Sequence, residues 1–164
     1  MNPVKSTKIL GIDPGLARMG WGVIEEERGK ARVVGYGCLE TLKSTAHSER
    51  LAAVHQELAR LIKKYNPDRV AVEKLFFSKN VKTALAVGEA RGVVLMTCAK
   101  LQVPCLEISP KEVKQALTGY GHADKQQMQR MVQLILKLKE TPKPDDAADA
   151  LAIALCASRL TDSH

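Results

Sequence analysis

Four acidic residues lie in or beside apolar segments. Asp13 closes the run "KILGID" ahead of Pro14-Gly15, Glu73 interrupts "VAVEKL", and Asp146 and Asp149 stand near the start of "DDAADALAIALCA". A carboxylate at the end of a buried segment is costly unless something positive meets it. Four that converged would repel one another, and in a dry site some would stay protonated unless cations neutralised them. Oxygen-only ligands select Mg²⁺ or Mn²⁺. Two such ions about 4 Å apart activate a water and stabilise a leaving oxygen in phosphodiester hydrolysis.

The elements that must position these acids follow from the periodicity. Ile9 to Asp13 reads as a short buried strand, and Gly20 to Glu26 and Lys30 to Thr41 as two more. Glu27, Arg28 and Gly29 form the tight turn between the latter two, so an antiparallel meander is expected. Leu51, Val54, Leu58, Leu61 and Ile62 recur at helical spacing, and the pattern stops at Asn66-Pro67, where proline ends a helix. "DRVAVEKLFF" is a β-branched strand, Val81 to Leu101 a long helix, and "VPCLEI" a last strand, giving the order βββαβαβ. Ser109-Pro110-Lys111-Glu112 carries the signature of a helix start, with Ser as N-cap, Pro first and Glu three after the cap. Helices from about Lys125 to Lys139 and from about Asp146 to Leu160 complete the chain. With no repeat or linker, and with 45% hydrophobic residues among 164, residues 1–164 are expected to form a single domain.

Strand alternation puts Asp13 on the same face as Gly11, and Glu73 on the same face as Ala71. In the last helix Asp146 and Asp149 share a stripe with Ala150, Ile153 and Ala157, while Leu151 and Leu155 occupy another face. That helix should be buried, and its alanines should let it approach a sheet closely enough for its acidic first turn to reach the strand ends. Each acid also has an ordinary use. Asp145 or Asp146 serves as an N-cap, Asp149 as a favourable first-turn charge, and Asp13 as a stabiliser of the turn at Pro14-Gly15. Glu73, between Val72 and Leu75, has no local helix end to serve.

The net charge of +7 is spread along the sequence. It favours a polyanionic partner, nucleic acid first and an acidic membrane surface second, although solubility alone explains it equally. Cys38, Cys98, Cys105 and Cys156 show no CxxC pairing and lie far from the four histidines, which disfavours zinc and a disulfide framework. "MNPVKSTK" leads straight into a strand pattern with no apolar signal region, and no apolar run is long enough to span a membrane, so a cytoplasmic location is expected.

"ILGIDPG", "AVEKLF", "EARGVV" and "DAADALA", in this order, resemble the RuvC family of Holliday-junction resolvases over the stretch from Ile9 to about Leu155. The resemblance implies a ribonuclease-H-like α/β fold, a five-stranded mixed sheet flanked by helices on both sides. It further implies a homodimer that nicks two opposed strands of four-way junction DNA with Mg²⁺ or Mn²⁺, and partnership with the RuvA and RuvB branch-migration proteins. Carried across by motif, the catalytic and metal-holding acids are Asp13, Glu73, Asp146 and Asp149, with two ions per site and Asp13 bridging them. Lys114 in "EVKQ" and Lys125 in "ADKQ" are the implied catalytic lysines, and Phe76 the junction-contacting aromatic. Phe76 and Phe77, side by side in a chain poor in aromatics, suggest a wedge or stacking surface, with one of the two expected in the core. Asp145 stands where relatives often carry a small neutral residue, and the spacing to Asp149 selects Asp146. Two other readings compete: a non-cleaving junction-binding protein, and a nucleotide-binding loop at "GIDPG" like that of sugar kinases and actin-like ATPases. The latter needs two such domains, for which this chain is short.

Overall fold

The computed structural model describes residues 5–74 and 80–161. Phe76 and Phe77 lie outside them. Strands β1 (Thr7–Asp13), β2 (Arg18–Glu27) and β3 (Lys30–Glu40) form the meander, followed by α1 (His47–Tyr65), β4 (Arg69–Glu73), α2 (Val81–Lys100) and β5 (Cys105–Ile108). Helices α3 (Pro110–Thr118), α4 (Lys125–Ile135) and α5 (Asp145–Thr161) complete the order. The sheet runs β3-β2-β1-β4-β5, antiparallel across the meander and parallel from β1 to β4 to β5. This is the expected mixed five-stranded sheet, and helices cover both faces.

Alternation along each strand decides which residues meet which layer. Leu10, Ile12, Met19, Trp21, Val23, Val70 and Val72 pack against Val54, Leu58, Leu61 and Ile62 of α1 and Val94 and Cys98 of α2. The other face presents Ile9, Ile24, Ala71 and Ile108 to α5, with α3 and α4 beyond it. Helix α5 is buried from Ala150 through Ser158, as its apolar circumference requires. It can lie so close because the strands carry glycine beneath it. A Cβ on Gly11 would stand 2.1 Å from the Ala150 carbonyl oxygen, and one on Gly20 would stand 2.0 Å from that of Asp146. Cross-strand pairing sets Gly11 beside both Gly22 and Ala71, and Asp13 beside Gly20, so the small residues form one continuous seat.

Several boundaries differ from expectation; β1 begins at Thr7 rather than Ile9 and β2 at Arg18 rather than Gly20. Helix α4 ends at Ile135 rather than Lys139. Lys137 takes a left-handed φ of 53°, its N–H bonds the Leu134 carbonyl, and the Leu138 N–H bonds that of Gln133, a Schellman closure built without glycine. Strand β5 starts at Cys105, because Pro104 has no N–H and the Val103 N–H is taken by the Cys98 carbonyl at the end of α2. Strand β4 spans Arg69–Glu73 and leaves out Lys74, since its last partner, Ile108, is followed at once by the cap of α3; residues 75–77 of the expected strand lie outside the described residues. The β2–β3 turn is as expected, with Arg28 and Gly29 both left-handed, the form that matches strand twist in a two-residue hairpin. No helix among the described residues is long and apolar enough to cross a membrane.

Candidate active site

Asp13 and Glu73 end two neighbouring parallel strands on the α5 side of the sheet, and the first two turns of α5 carry Asp146 and Asp149 over those ends. Clefts at the carboxyl ends of parallel strands are where open α/β sheets bind ligands. The Asp13 carboxyl is pushed up to about 8, first by burial and then by the charges of Asp149, Glu73 and Asp146, with Lys125 opposing them. Glu73 is raised by burial and by Asp149, and Lys114 pulls it back. Asp149 is raised by burial, partly countered by Lys125, with Asp146 and Asp145 adding to the rise. Four acids from three elements thus share one field, as the strand and helix periodicity anticipated.

The two lysines face this field from opposite helices. Lys114 lies one turn into α3, whose start is fixed by the reciprocal Ser109–Glu112 capping box, at 3.2 and 2.7 Å. Lys125 opens α4 directly after its cap Asp124. A lysine at a helix start opposes the dipole, and Asp145 offsets this with an ion pair at 2.9 Å. Lys114, Lys125, Glu73 and Asp149 line a cavity of about 310 Å³ whose apolar wall includes Met128 and Val132.

Adjacent acids have separate uses. Asp145, exposed, holds Lys125 and accepts from Gln129 Nε2 at 3.2 Å, and these contacts keep its carboxyl below the usual range. Asp146 turns toward β2, where Arg18 Nε lies 3.4 Å from its Oδ2. The geometry therefore puts Asp146, not Asp145, among the charges acting on Asp13. Sequence reading missed Arg18. The available signal was its place two residues before Gly20, on the strand face that seats α5.

Among the described residues no three His, Cys, Asp or Glu side chains close on one point as a finished metal cage. The donor set nevertheless fits a hard divalent cation: every acid offers oxygen, and mutual repulsion in a buried site is what such a cation relieves.

The model of the family described as crossover junction endodeoxyribonuclease RuvC matches residues 9–157. A crossover junction endodeoxyribonuclease RuvC of Roseiflexus sp. is 56% identical over 151 residues, covering 92% of this chain and 90% of that protein. The counterpart from Halothermothrix orenii is 52% identical over 148 residues, covering 90% of each. The solved structure of Thermus thermophilus RuvC in complex with Holliday junction substrate superposes with a TM-score of 0.90 at 38% identity, over 94% of either chain. The family match reaches all five strands and includes Asp13, Glu73, Asp146 and Asp149, and the chain belongs to the RuvC family of crossover junction endodeoxyribonucleases.

Proposed function

We propose that this chain resolves Holliday junctions by nicking two opposed DNA strands, and that Asp13, Glu73, Asp146 and Asp149 hold two Mg²⁺ ions, with Mn²⁺ able to substitute. The observation that carries the assignment is the meeting of the half-buried Asp13 with three other acids at the strand ends, which together with its burial raises its carboxyl to about 8. When bound, such ions generate a nucleophile from water and take up charge on the leaving oxygen.

The chain's own residues do the rest. Glu73, held high by burial and by Asp149, is suited to orient the attacking water and accept its proton. Lys114 and Lys125 face the acids from α3 and α4 and offset charge on the scissile phosphate. The net charge of +7 supplies backbone phosphate contacts, so junction affinity falls steeply as salt rises. Phe76 and Phe77 are the proposed stacking contacts at the junction centre, tested by replacing each with Ala and measuring junction affinity.

Two opposed incisions require two equivalent sites, so the active unit is a homodimer. Helix α2 buries Ala90, Val94, Thr97 and Cys98 while leaving Val81, Leu85 and Met96 exposed, and is the proposed interface. RuvA and RuvB are the partners the family reading implies. A synthetic four-way junction incubated with the protein, with and without Mg²⁺, tests the whole reading. Binding in both lanes and symmetric nicks only with Mg²⁺ are expected; binding without nicks would favour a junction-binding protein.

A further inference from the structure

Arg18 stands where local electrostatics oppose it. On β2 the residues Arg18, Gly20 and Gly22 share the face turned to α5, and Gly20 lies against the Asp146 carbonyl, so Arg18 is set over the N-terminal turn of that helix. The positive end of a helix dipole repels a guanidinium unless an acid intervenes. Two acids do so. Glu40, the cross-strand partner of Arg18, accepts from Nη2 at 2.9 Å, and Asp146 faces Nε at 3.4 Å. The fork of the guanidinium thus spans β3 and α5, anchored on its exposed side by Glu40. Among the described residues, Asp146 is the pocket acid held in a direct ion pair. A local arrangement that opposes the dipole, yet is doubly ion-paired, points to function.

We propose that Arg18 competes with the incoming divalent cation for the carboxylate of Asp146. The proposal rests on Asp146 being a metal-holding acid, as assigned above. Cation binding must then either displace Arg18 from Asp146 or share the carboxylate with it, so the free protein binds metal less tightly than its four acids would allow. The coupling is reciprocal: whatever draws Arg18 away tightens the metal, and metal releases Arg18.

The test is a titration of full-length, metal-free protein with Mn²⁺, free Mn²⁺ being read by electron paramagnetic resonance without DNA. Wild type is compared with Arg18→Gln, Asp146→Asn and the double variant. Arg18→Gln is expected to tighten Mn²⁺ by up to about fivefold, the scale of a partly exposed ion pair. Asp146→Asn should weaken it, and in that background Arg18→Gln should have no further effect. Unchanged or weaker Mn²⁺ binding in Arg18→Gln would overturn the proposal. So would an equal gain in both backgrounds, which marks a long-range charge effect. If Asp146→Asn bound Mn²⁺ like wild type, the ligand assignment itself would fall, and the Arg18 proposal with it.

Discussion

The two faces of the sheet are built from alternate residues of the same strands, yet they are packed by opposite rules. Toward α1 and α2 the strands present Leu10, Ile12, Met19, Trp21 and Val72, and large side chains fill the gap between layers. Toward α5 they present Ile9, Ile24 and Ile108 around a strip of small residues, where the helix backbone lies against Gly11 and Gly20 and the Leu151 side chain against Gly22. Burial of apolar side chains stabilises both faces. On the second face the small strip at Gly11 and Gly20 forgoes side-chain area so that a helix can lie near enough for short aspartates to reach the strand ends. Both faces hold the molecule together; the second also sets the distances among the four acids.

Substitutions on the two faces should therefore fail in different ways. Asp13→Asn is the severest for chemistry: junction cleavage should fall roughly a thousandfold or more, with junction binding retained, as gel shift and nicking assays on one preparation would show. Gly11→Val comes next. Its Cβ would meet the Ala150 carbonyl at 2.1 Å, so α5 must lift, costing roughly 3 kcal/mol or more and abolishing cleavage even in the folded fraction. Leu58→Ala, on the opposite face, should cost about 3 kcal/mol in denaturant unfolding, yet leave cleavage per folded molecule unchanged. Loss of cleavage from Leu58→Ala would break the division of labour between the faces.

A smaller effect tests the acid face through pH. The folded pKa of Asp13, about 8, lies above its ordinary 3.8, so the folded state binds more protons than the unfolded chain between those values. The stability this contributes is fully present below about 4 and is lost as pH rises through about 8. In chelator the protein should melt at a lower temperature at pH 9 than at pH 6. Asp13→Asn should narrow that difference, and it should stabilise the protein at pH 9 while removing its activity. A melting temperature independent of pH in this range would show that the carboxylates do not share one field.

How much of this was readable in the sequence depends on how local the cause is. The alternation that turns Asp13 and Glu73 toward α5, and the alanines that bury that helix, are properties of short segments and needed no tertiary information. The Ser109 cap and the stop at Asn66-Pro67 were equally local, and the structure has both. The end of α4 was not readable, because Lys137 closes the helix in a conformation that glycine usually marks. Neither was the placing of Lys114 and Lys125. They lie 11 positions apart on two helices, and only the packing of α3 and α4 beside α5 brings both to one cavity. The motif resemblance named them where physical reading of the segment could not. Arg18 escaped because its meaning depends on Gly20, Glu40 and Asp146 together.

The mildest prediction concerns two neighbours. Asp145 and Asp146 are successive residues at the start of α5, about 100° apart around its axis, and the rotation sends one to Lys125 in solvent and the other to the side of Asp13. Asp145→Asn removes an exposed ion pair, so cleavage should change by less than about fivefold. Asp146→Asn removes a charge acting on Asp13 and should reduce cleavage roughly a hundredfold or more. Lys125 offers the internal control. If Asp145 serves only to hold that lysine, Asp145→Asn should have no further effect on cleavage once Lys125 is replaced by Ala. A larger loss from Asp145→Asn than from Asp146→Asn would exchange their roles, and the helix phase that selects the acids would have to be redrawn.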